Sequence, residues 1–476
     1  MTFERIGHTY QYETENICRL FFPFEPLEKK DGNISIYSQL AREPGGARLI
    51  ADVTVYGKHE RVERFAKQES DWERELCVAL FLALTAVTGR RPPWGAQTGV
   101  RPVKYLGRLT RALGAEKADA FFQNQLLVTP AKIELCRRVL KTQGPMMARL
   151  APERFSLYVS IPFCPTRCSY CSFVSHSMDK ARKLIPDYVK LLCEEIKLTG
   201  ELAARQKMTL DTVYFGGGTP TVLEAEELRQ LMEVVASSFP DSRLVEYTVE
   251  AGRPDTVTEE KLDCLKENGC TRISVNPQTF DDRVLKAIGR LHTGQMAVDA
   301  FWLARNKGFS CINMDLIAGL PGDTAEGFAK TVQTALELGP ENITVHTLSA
   351  KRASRMTYRG EHPVEGCAGV MLEQSQNALT KQGYEPYYLY RQSRQTENLE
   401  NTGWCLPGTE GYYNVYIMDE CQTILACGAG ASTKLVLGEN QIKRVFNFKF
   451  PYEYIDQFGE IQRRKKEAFQ ILAEAE

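Results

Sequence analysis

Apolar and polar positions follow two different rhythms in this chain, and the change of rhythm divides it. Within residues 1–150, alternating stretches near Ile17–Phe24 and over Ala47–Tyr56 read as strands. The 3.6-residue spacing over Trp72–Val87 and Ala131–Lys141 reads as helix. This part is expected to form a separate α+β accessory domain. From about Phe155 the pattern becomes strand, loop, helix, repeated. Residues 155–163, 211–221, 246–254, 271–280, 311–322 and 342–350 are short apolar runs that close in polar or glycine loops. Between them, residues 186–206, 224–239, 261–269, 296–308 and 324–339 carry helical spacing. Several stop at Gly, where a helix C-cap belongs. This repetition predicts an α/β fold, a parallel sheet wrapped by helices. About six such units over residues 151–350 fit an open partial (β/α)6 barrel better than a closed eight-stranded one. In such sheets ligands gather at the carboxyl ends of the strands. Residues 351–476 are mixed and less regular, and are expected to form a C-terminal domain that covers the substrate.

Charge adds little to this picture. Lys and Arg number 59 against 60 Asp and Glu, so neither nucleic acid nor an anionic membrane surface is an expected partner. The N-terminus lacks the apolar core of a secretory signal, and the run Cys77–Val87 is too short to span a bilayer. A cytoplasmic protein without membrane insertion is expected. Its 14 cysteines then read as reduced thiols, mostly small buried apolar residues.

Three of them stand apart. Cys164, Cys168 and Cys171 fall within eight residues, CPTRCSYC, in the loop after the first barrel strand. Thiolates are the soft ligands that iron–sulfur clusters and zinc both prefer. Three thiolates on a four-iron cluster leave one iron open for chemistry, whereas a structural zinc would need a fourth donor such as His176. Farther on, GGGTP at 216–220 ends a strand in a glycine run, where backbone can approach a ligand closely.

The cysteine spacing, with Tyr170 before its last member, resembles that of the radical S-adenosylmethionine (SAM) superfamily. The resemblance implies a radical SAM barrel holding a [4Fe–4S] cluster on Cys164, Cys168 and Cys171. It also implies that Gly216, Gly217, Gly218 and Thr219 accept the SAM amino group. Glu250, Gln278, Arg290 and Asp315 match further SAM contacts, with Arg290 suited to the carboxylate and Asp315 to the ribose. Tyr158 looks like the residue that packs near SAM and cluster, and is expected to be both cofactor-binding and catalytic.

The stretch LYVSIPFCPTRCSYCSF, 157–173, is similar to the oxygen-independent coproporphyrinogen III dehydrogenase group, which also contains heme chaperones and heme-opening methyltransferases. WGAQTGVRPVK at 94–104, NLENTGW at 398–404 and ILACGAGASTK at 424–434 resemble its HemZ subgroup. The resemblance implies oxidative decarboxylation of coproporphyrinogen III to protoporphyrinogen IX in anaerobic heme biosynthesis, with electrons from a reduced flavodoxin or ferredoxin. Two positions depart from the bacterial dehydrogenase. Phe173 stands where that enzyme has a fourth cysteine, and Ser160 where it has His. A heme-binding chaperone or a radical SAM methyltransferase acting on a tetrapyrrole are the alternatives. Arg101, Lys104, Lys351, Arg391 and Lys434 are candidates for substrate carboxylates. The tyrosine-rich run 384–392 could stack on a tetrapyrrole or form a half-buried strand.

Overall fold

The computed structural model describes residues 1–26, 32–171, 176–349, 366–392, 395–438 and 441–475, with backbone alone at 179 and 180. Phe173 and Lys351 lie outside the described residues. The chain divides into two compact units, Met1–Leu140 with Leu389–Glu400, and Lys141–Tyr388 with Asn401–Glu476. Among the described residues no helix is long and apolar enough to cross a membrane.

The first unit is built on a four-stranded sheet of order β1 (Thr2–Ile6), β2 (Ile34–Glu43), β3 (Gly46–Val55) and β4 (Lys58–Ala66). β1 and β2 are parallel and the others antiparallel. Alternation along β2 and β3 sends Ile36 and Val53 into a core shared with Leu80, Phe81 and Leu84 of the helix Trp72–Thr88. The charged run KHERVERFA marks β4 as a solvated edge. The stretch near Ile17–Phe24, read above as a strand, lies in the helix Gln11–Phe21. Thr14, Ile17, Cys18 and Phe21 are buried at three- and four-residue spacing, the period of a helix face, which the short apolar run alone concealed.

Two stretches far apart in sequence meet inside this unit. The Arg391 guanidinium donates to the Gln97 carbonyl, to Gln97 Oε1 at 2.9 Å and to the Asn398 carbonyl at 3.0 Å. It lies 5.3 Å from the centre of the Trp94 ring. Trp94 Nε1 donates to Glu400 Oε2 at 2.8 Å, and Lys132 pairs with the other Glu400 oxygen. Arg391 is therefore neither a solvated charge nor open to a substrate carboxylate.

In the second unit the parallel strands follow chain order: β5 (Arg154–Ile161), a two-residue ladder of β6 (Phe163–Cys164) and β7 (His176–Ser177), then β8 (Thr209–Gly217), β9 (Glu246–Glu250), β10 (Arg272–Ser274), β11 (Ile312–Ala318) and β12 (Asn342–Thr347). Without the small ladder these make six adjacent parallel strands. Helices such as Ile185–Arg205, Ala225–Ser238 and Ala325–Leu338 connect them, so this is the partial (β/α)6 barrel. Closure is prevented at both ends. β13 (Glu385–Arg391) and β14 (Glu400–Cys405) extend the sheet past β12. β15 (Thr423–Cys427), β16 (Ser432–Gly438) and β17 (Gln441–Phe446) extend it past β5, with β15 parallel to β5.

The turn after β15 is fastened from behind. Glu195, fully buried, accepts from Gly428 N at 2.8 Å and Tyr454 OH at 2.7 Å, and pairs with Lys465 at 3.0 Å. This joins the helices Ile185–Arg205 and Phe458–Ala475 to the glycine turn.

Candidate active site

The cysteine loop leaves the carboxyl end of β5 and is held by its neighbours. Ser169 N donates to the Ile288 carbonyl at 3.0 Å, and Cys171 N to that of Cys168 at 3.3 Å. Tyr170 packs against a cluster that includes Leu285, Ile288, Ile317 and Leu348. Its hydroxyl accepts from Arg290 Nη2 at 3.1 Å. The aromatic residue before the last cysteine is thus an anchor: its ring is driven into the core and its hydroxyl meets a buried cation.

None of the three cysteines is in a disulfide, and Cys168 is buried. Cys164 Sγ accepts from Thr219 Oγ1 at 3.6 Å, and Cys168 Sγ from Arg253 Nη1 at 3.9 Å. Among the described residues no three His, Cys, Asp or Glu side chains are placed to hold a single metal ion. Three soft donors in one loop, one facing a buried guanidinium, suit an iron–sulfur cluster. Such a cluster takes a separate iron per thiolate.

The glycine run closes β8 beside this loop. Gly218 N donates to the Ile161 carbonyl at 2.8 Å and Thr219 N to the Phe163 carbonyl at 2.7 Å. A Cβ on Gly218 would lie 2.3 Å from the Phe163 carbonyl oxygen, so only glycine permits this approach. Gly217 has φ +107°, again a glycine conformation. A Cβ on Gly216 would meet the Tyr214 ring at 2.9 Å, Glu250 Oε1 at 3.2 Å and the Tyr158 ring at 3.2 Å.

Glu250 ends β9 and accepts from Tyr214 OH at 2.6 Å. Burial raises its carboxyl to about 7, with Asp315 adding to the shift and the Tyr214 hydrogen bond opposing it. Asp315, in β11, accepts from Asn313 Nδ2 at 2.8 Å and lies 3.7 Å from His346 Nε2. Burial alone would raise Asp315, but His346, Asn313 and Thr344 hold it below the usual carboxylate value. Gln278 is pinned to the same strand: its N–H donates to the Asp315 carbonyl at 2.9 Å, and Ile317 N donates to its own carbonyl at 3.0 Å. Its backbone sits at φ +68°, strained for a non-glycine residue, and its buried Oε1 has no partner among the described residues. Arg290 donates to the Asn276 and Gly252 carbonyls at 3.1 and 3.4 Å, while its buried Nε has no partner among the described residues.

The structure therefore brings the cysteine loop, the glycine run, Tyr158, Glu250, Gln278, Arg290 and Asp315 to the parallel strands and the loops that follow them. It also adds some that were missed. Tyr158, Tyr214 and Tyr413 form a stack, with the latter two ring centres 4.3 Å apart and Tyr158 about equally distant from both, at 6.2 and 6.1 Å. Burial raises all three phenols, which stay neutral. Tyr413 comes from a helix far along the chain and carried no local signal. His346, at the end of NITVHT, and Arg253, in the EAGRPD loop, were legible as polar residues at strand ends. Ser160 instead donates to the Ala429 carbonyl at 2.8 Å, a fold contact. Lys434 pairs with Glu420 at 3.3 Å.

Residues 158–335 match the radical SAM superfamily. The oxygen-independent coproporphyrinogen-III oxidase-like protein HemZ of Bacillus subtilis is 42% identical over 385 residues, 79% of this chain and 76% of that protein. The heme chaperone HemW of the same organism is 39% identical over 194 residues, 40% of this chain and 50% of that protein. Among solved structures, coproporphyrinogen III oxidase (HemN) from Escherichia coli, a radical SAM enzyme, aligns with a TM-score of 0.52 at 24% identity. That alignment covers 67% of this chain and 72% of the other. It shows a shared fold.

Proposed function

This chain belongs to the radical SAM superfamily, in the oxygen-independent coproporphyrinogen-III oxidase-like branch that includes HemZ, and from that membership we propose that it converts coproporphyrinogen III to protoporphyrinogen IX by oxidative decarboxylation of two propionates. Cys164, Cys168 and Cys171 would hold a [4Fe–4S] cluster, which would supply the electron for reductive cleavage of SAM to methionine and a 5′-deoxyadenosyl radical. Reduced flavodoxin or ferredoxin is the proposed electron donor.

The observation that carries the reading is a pair of buried polar atoms, Gln278 Oε1 and Arg290 Nε, that have no partner among the described residues and lie near Glu250 and Asp315. Buried polar atoms are costly without a partner, and a polar ligand would complete them. In this reading Arg290 takes the SAM carboxylate and Asp315 the ribose hydroxyls. Gly216, Gly217, Gly218 and Thr219 offer backbone to the amino group. Glu250 and Gln278 complete the polar wall. Tyr158, in its stack, contributes an apolar face that excludes water.

Glu250 makes SAM binding pH-dependent. Above its value of about 7 the carboxyl is anionic and attracts the cationic cofactor, and below it that charge is lost. SAM affinity is expected to fall about tenfold as the pH drops from about 8 to about 6, the worth of one charge-assisted hydrogen bond. Equilibrium binding to reconstituted protein measures this. Glu250→Gln is expected to bind weakly and with a flat pH profile, and an unchanged slope in that variant would remove Glu250 from the site.

The reaction is tested by anaerobic incubation with SAM, reductant and coproporphyrinogen III deuterated at the propionate β-carbons. Each turned-over propionate is expected to consume one SAM, lose one CO2 and two hydrogens by mass, and leave deuterium in 5′-deoxyadenosine. The likeness to HemZ, over most of both chains, supports this reading. The likeness to HemW supports a second one, a heme-binding chaperone. Heme binding without label transfer would favour that second role, and a methylated tetrapyrrole would favour methyl transfer.

A further inference from the structure

Two buried guanidinium groups, those of Arg290 and Arg253, stand close to the cysteine loop. Arg253 is almost fully buried, with a side chain 4% exposed. Its Nε and Nη2 donate to the two oxygens of Asp255, each at 2.9 Å. This bidentate grip fixes the plane of the guanidinium. The remaining nitrogen, Nη1, is thereby aimed at the cysteine loop, reaching Thr166 Oγ1 at 3.2 Å and Cys168 Sγ at 3.9 Å. The carbonyl of Arg253 is held in turn by Thr256 Oγ1 at 2.8 Å and Thr256 N at 2.9 Å.

The local charge is not balanced. Arg290 donates to two backbone carbonyls and the Tyr170 phenol, none of which carries charge. Asp255 is the carboxylate beside Arg253, and His292 lies 4.0 Å from it. Burial together with the two arginines pulls His292 down to about 4, so it is neutral at ordinary pH. Among the described residues Arg253 and Arg290 thus both reach the loop, at Cys168 and Tyr170, and Asp255 is paired with Arg253. Such an excess of positive charge in a buried place calls for an anionic occupant, and a thiolate-bound cluster is one.

We propose that Arg253 is a positioning residue for the cluster: held by Asp255, its guanidinium donates to the Cys168 sulfur and raises the cluster's reduction potential above what three thiolates alone would give. The inference rests on the reading of Cys164, Cys168 and Cys171 as cluster ligands. Hydrogen bonds to sulfur, net charge and solvent exposure are the levers that set such potentials. Adding one electron from a reductant makes the cluster one unit more negative. A fixed positive charge and an N–H donor stabilise that reduced form more than the oxidised one. Arg253 therefore makes the cluster easier for its donor to reduce. Asp255 opposes this through its charge while it orients the guanidinium.

The test uses the full chain, reconstituted anaerobically and titrated with reductant while the reduced cluster is followed by electron paramagnetic resonance. Arg253→Gln is expected to move the midpoint to a more negative potential, and Arg253→Lys to leave it near the parent value. Asp255→Asn is expected to move it the other way, because the cation loses its counter-charge. A purely structural ion pair would change the unfolding midpoint in these variants and leave the potential alone. An unmoved midpoint in both Arg253→Gln and Asp255→Asn, or equal shifts in Arg253→Gln and Arg253→Lys, overturns the proposal. If Arg253→Gln does not retain a cluster, the remaining variants decide: a shift in Asp255→Asn alone supports it, and no shift in either overturns it. A parent chain that takes up no cluster overturns the site reading as well, so the two failures are distinguishable.

Discussion

Cys168→Ala is expected to leave a folded protein that no longer holds its cluster. The parent, reconstituted anaerobically, should be brown and carry about four irons per chain. Iron in the variant should fall sharply and the blue-edge visible absorption should vanish. Release of 5′-deoxyadenosine should drop by more than about 100-fold, since outer-shell partners alone cost up to that much and this is a direct ligand. The fold has little reason to suffer. Cys168 uses its backbone carbonyl to accept from Cys171 N, and the loop stays anchored through Ser169 and Tyr170. Circular dichroism should match the parent. Cys193→Ala is the control: Cys193 is buried in the helix Ile185–Arg205, and its loss should spare iron and activity. Full iron content in Cys168→Ala, or stoichiometric zinc in a colourless parent, would remove the cluster assignment.

The second large effect concerns stability. Arg391→Ala should destabilise the unit Met1–Leu140 with Leu389–Glu400 by about 3–5 kcal/mol, the usual cost of breaking a buried charged network. Burial lowers the guanidinium to about 10, with Glu400 opposing, so the cation persists at neutral pH. Its loss leaves the Gln97 and Asn398 carbonyls without that donor, uncovers the Trp94 ring and takes a cation from beside fully buried Glu400. Urea unfolding followed by tryptophan fluorescence reads this, because Trp94 lies in the cluster and is almost fully buried. The double variant Arg391→Ala with Glu400→Gln should be less destabilised than the sum of the single ones, since the two positions are coupled. A change below about 1 kcal/mol, the ordinary scale of a point substitution, would show that the network is not needed.

How much of this was legible in the sequence depended on distance along the chain. The cysteine loop and the glycine run are local patterns, and their neighbours in sequence are their neighbours in space. Tyr170 reads as an anchor as soon as its ring is seen in the core. The six strand–helix repeats were legible for the same reason, since each parallel strand pairs with the next in order. The helix Gln11–Phe21 was misread because four apolar residues close together satisfy either period, and only Thr14 breaks the tie. Long-range pairings left no trace. Nothing near Arg391 announces Trp94, nothing near Tyr413 announces Tyr158, and nothing in ILAC shows that β15 will lie beside β5. The polar residues at strand ends were visible one by one, but the grip of Asp255 on Arg253 needed the fold.

The position of β5 also bears on how the protein is made. One of its neighbours, β8, is synthesised soon after it, but the other, β15, begins only at Thr423. A ribosome adding about 5–20 residues per second leaves that edge open for some tens of seconds. An unpaired edge in the middle of a future sheet is a template for wrong partners, and pairings this distant along the chain are slow to form. The strand that leads directly into Cys164 is therefore among the last parts of the sheet to be enclosed. Iron delivered to a nascent chain would meet a loop whose supporting strand has a bare side until β15 is made and the turn behind it is fastened by Glu195.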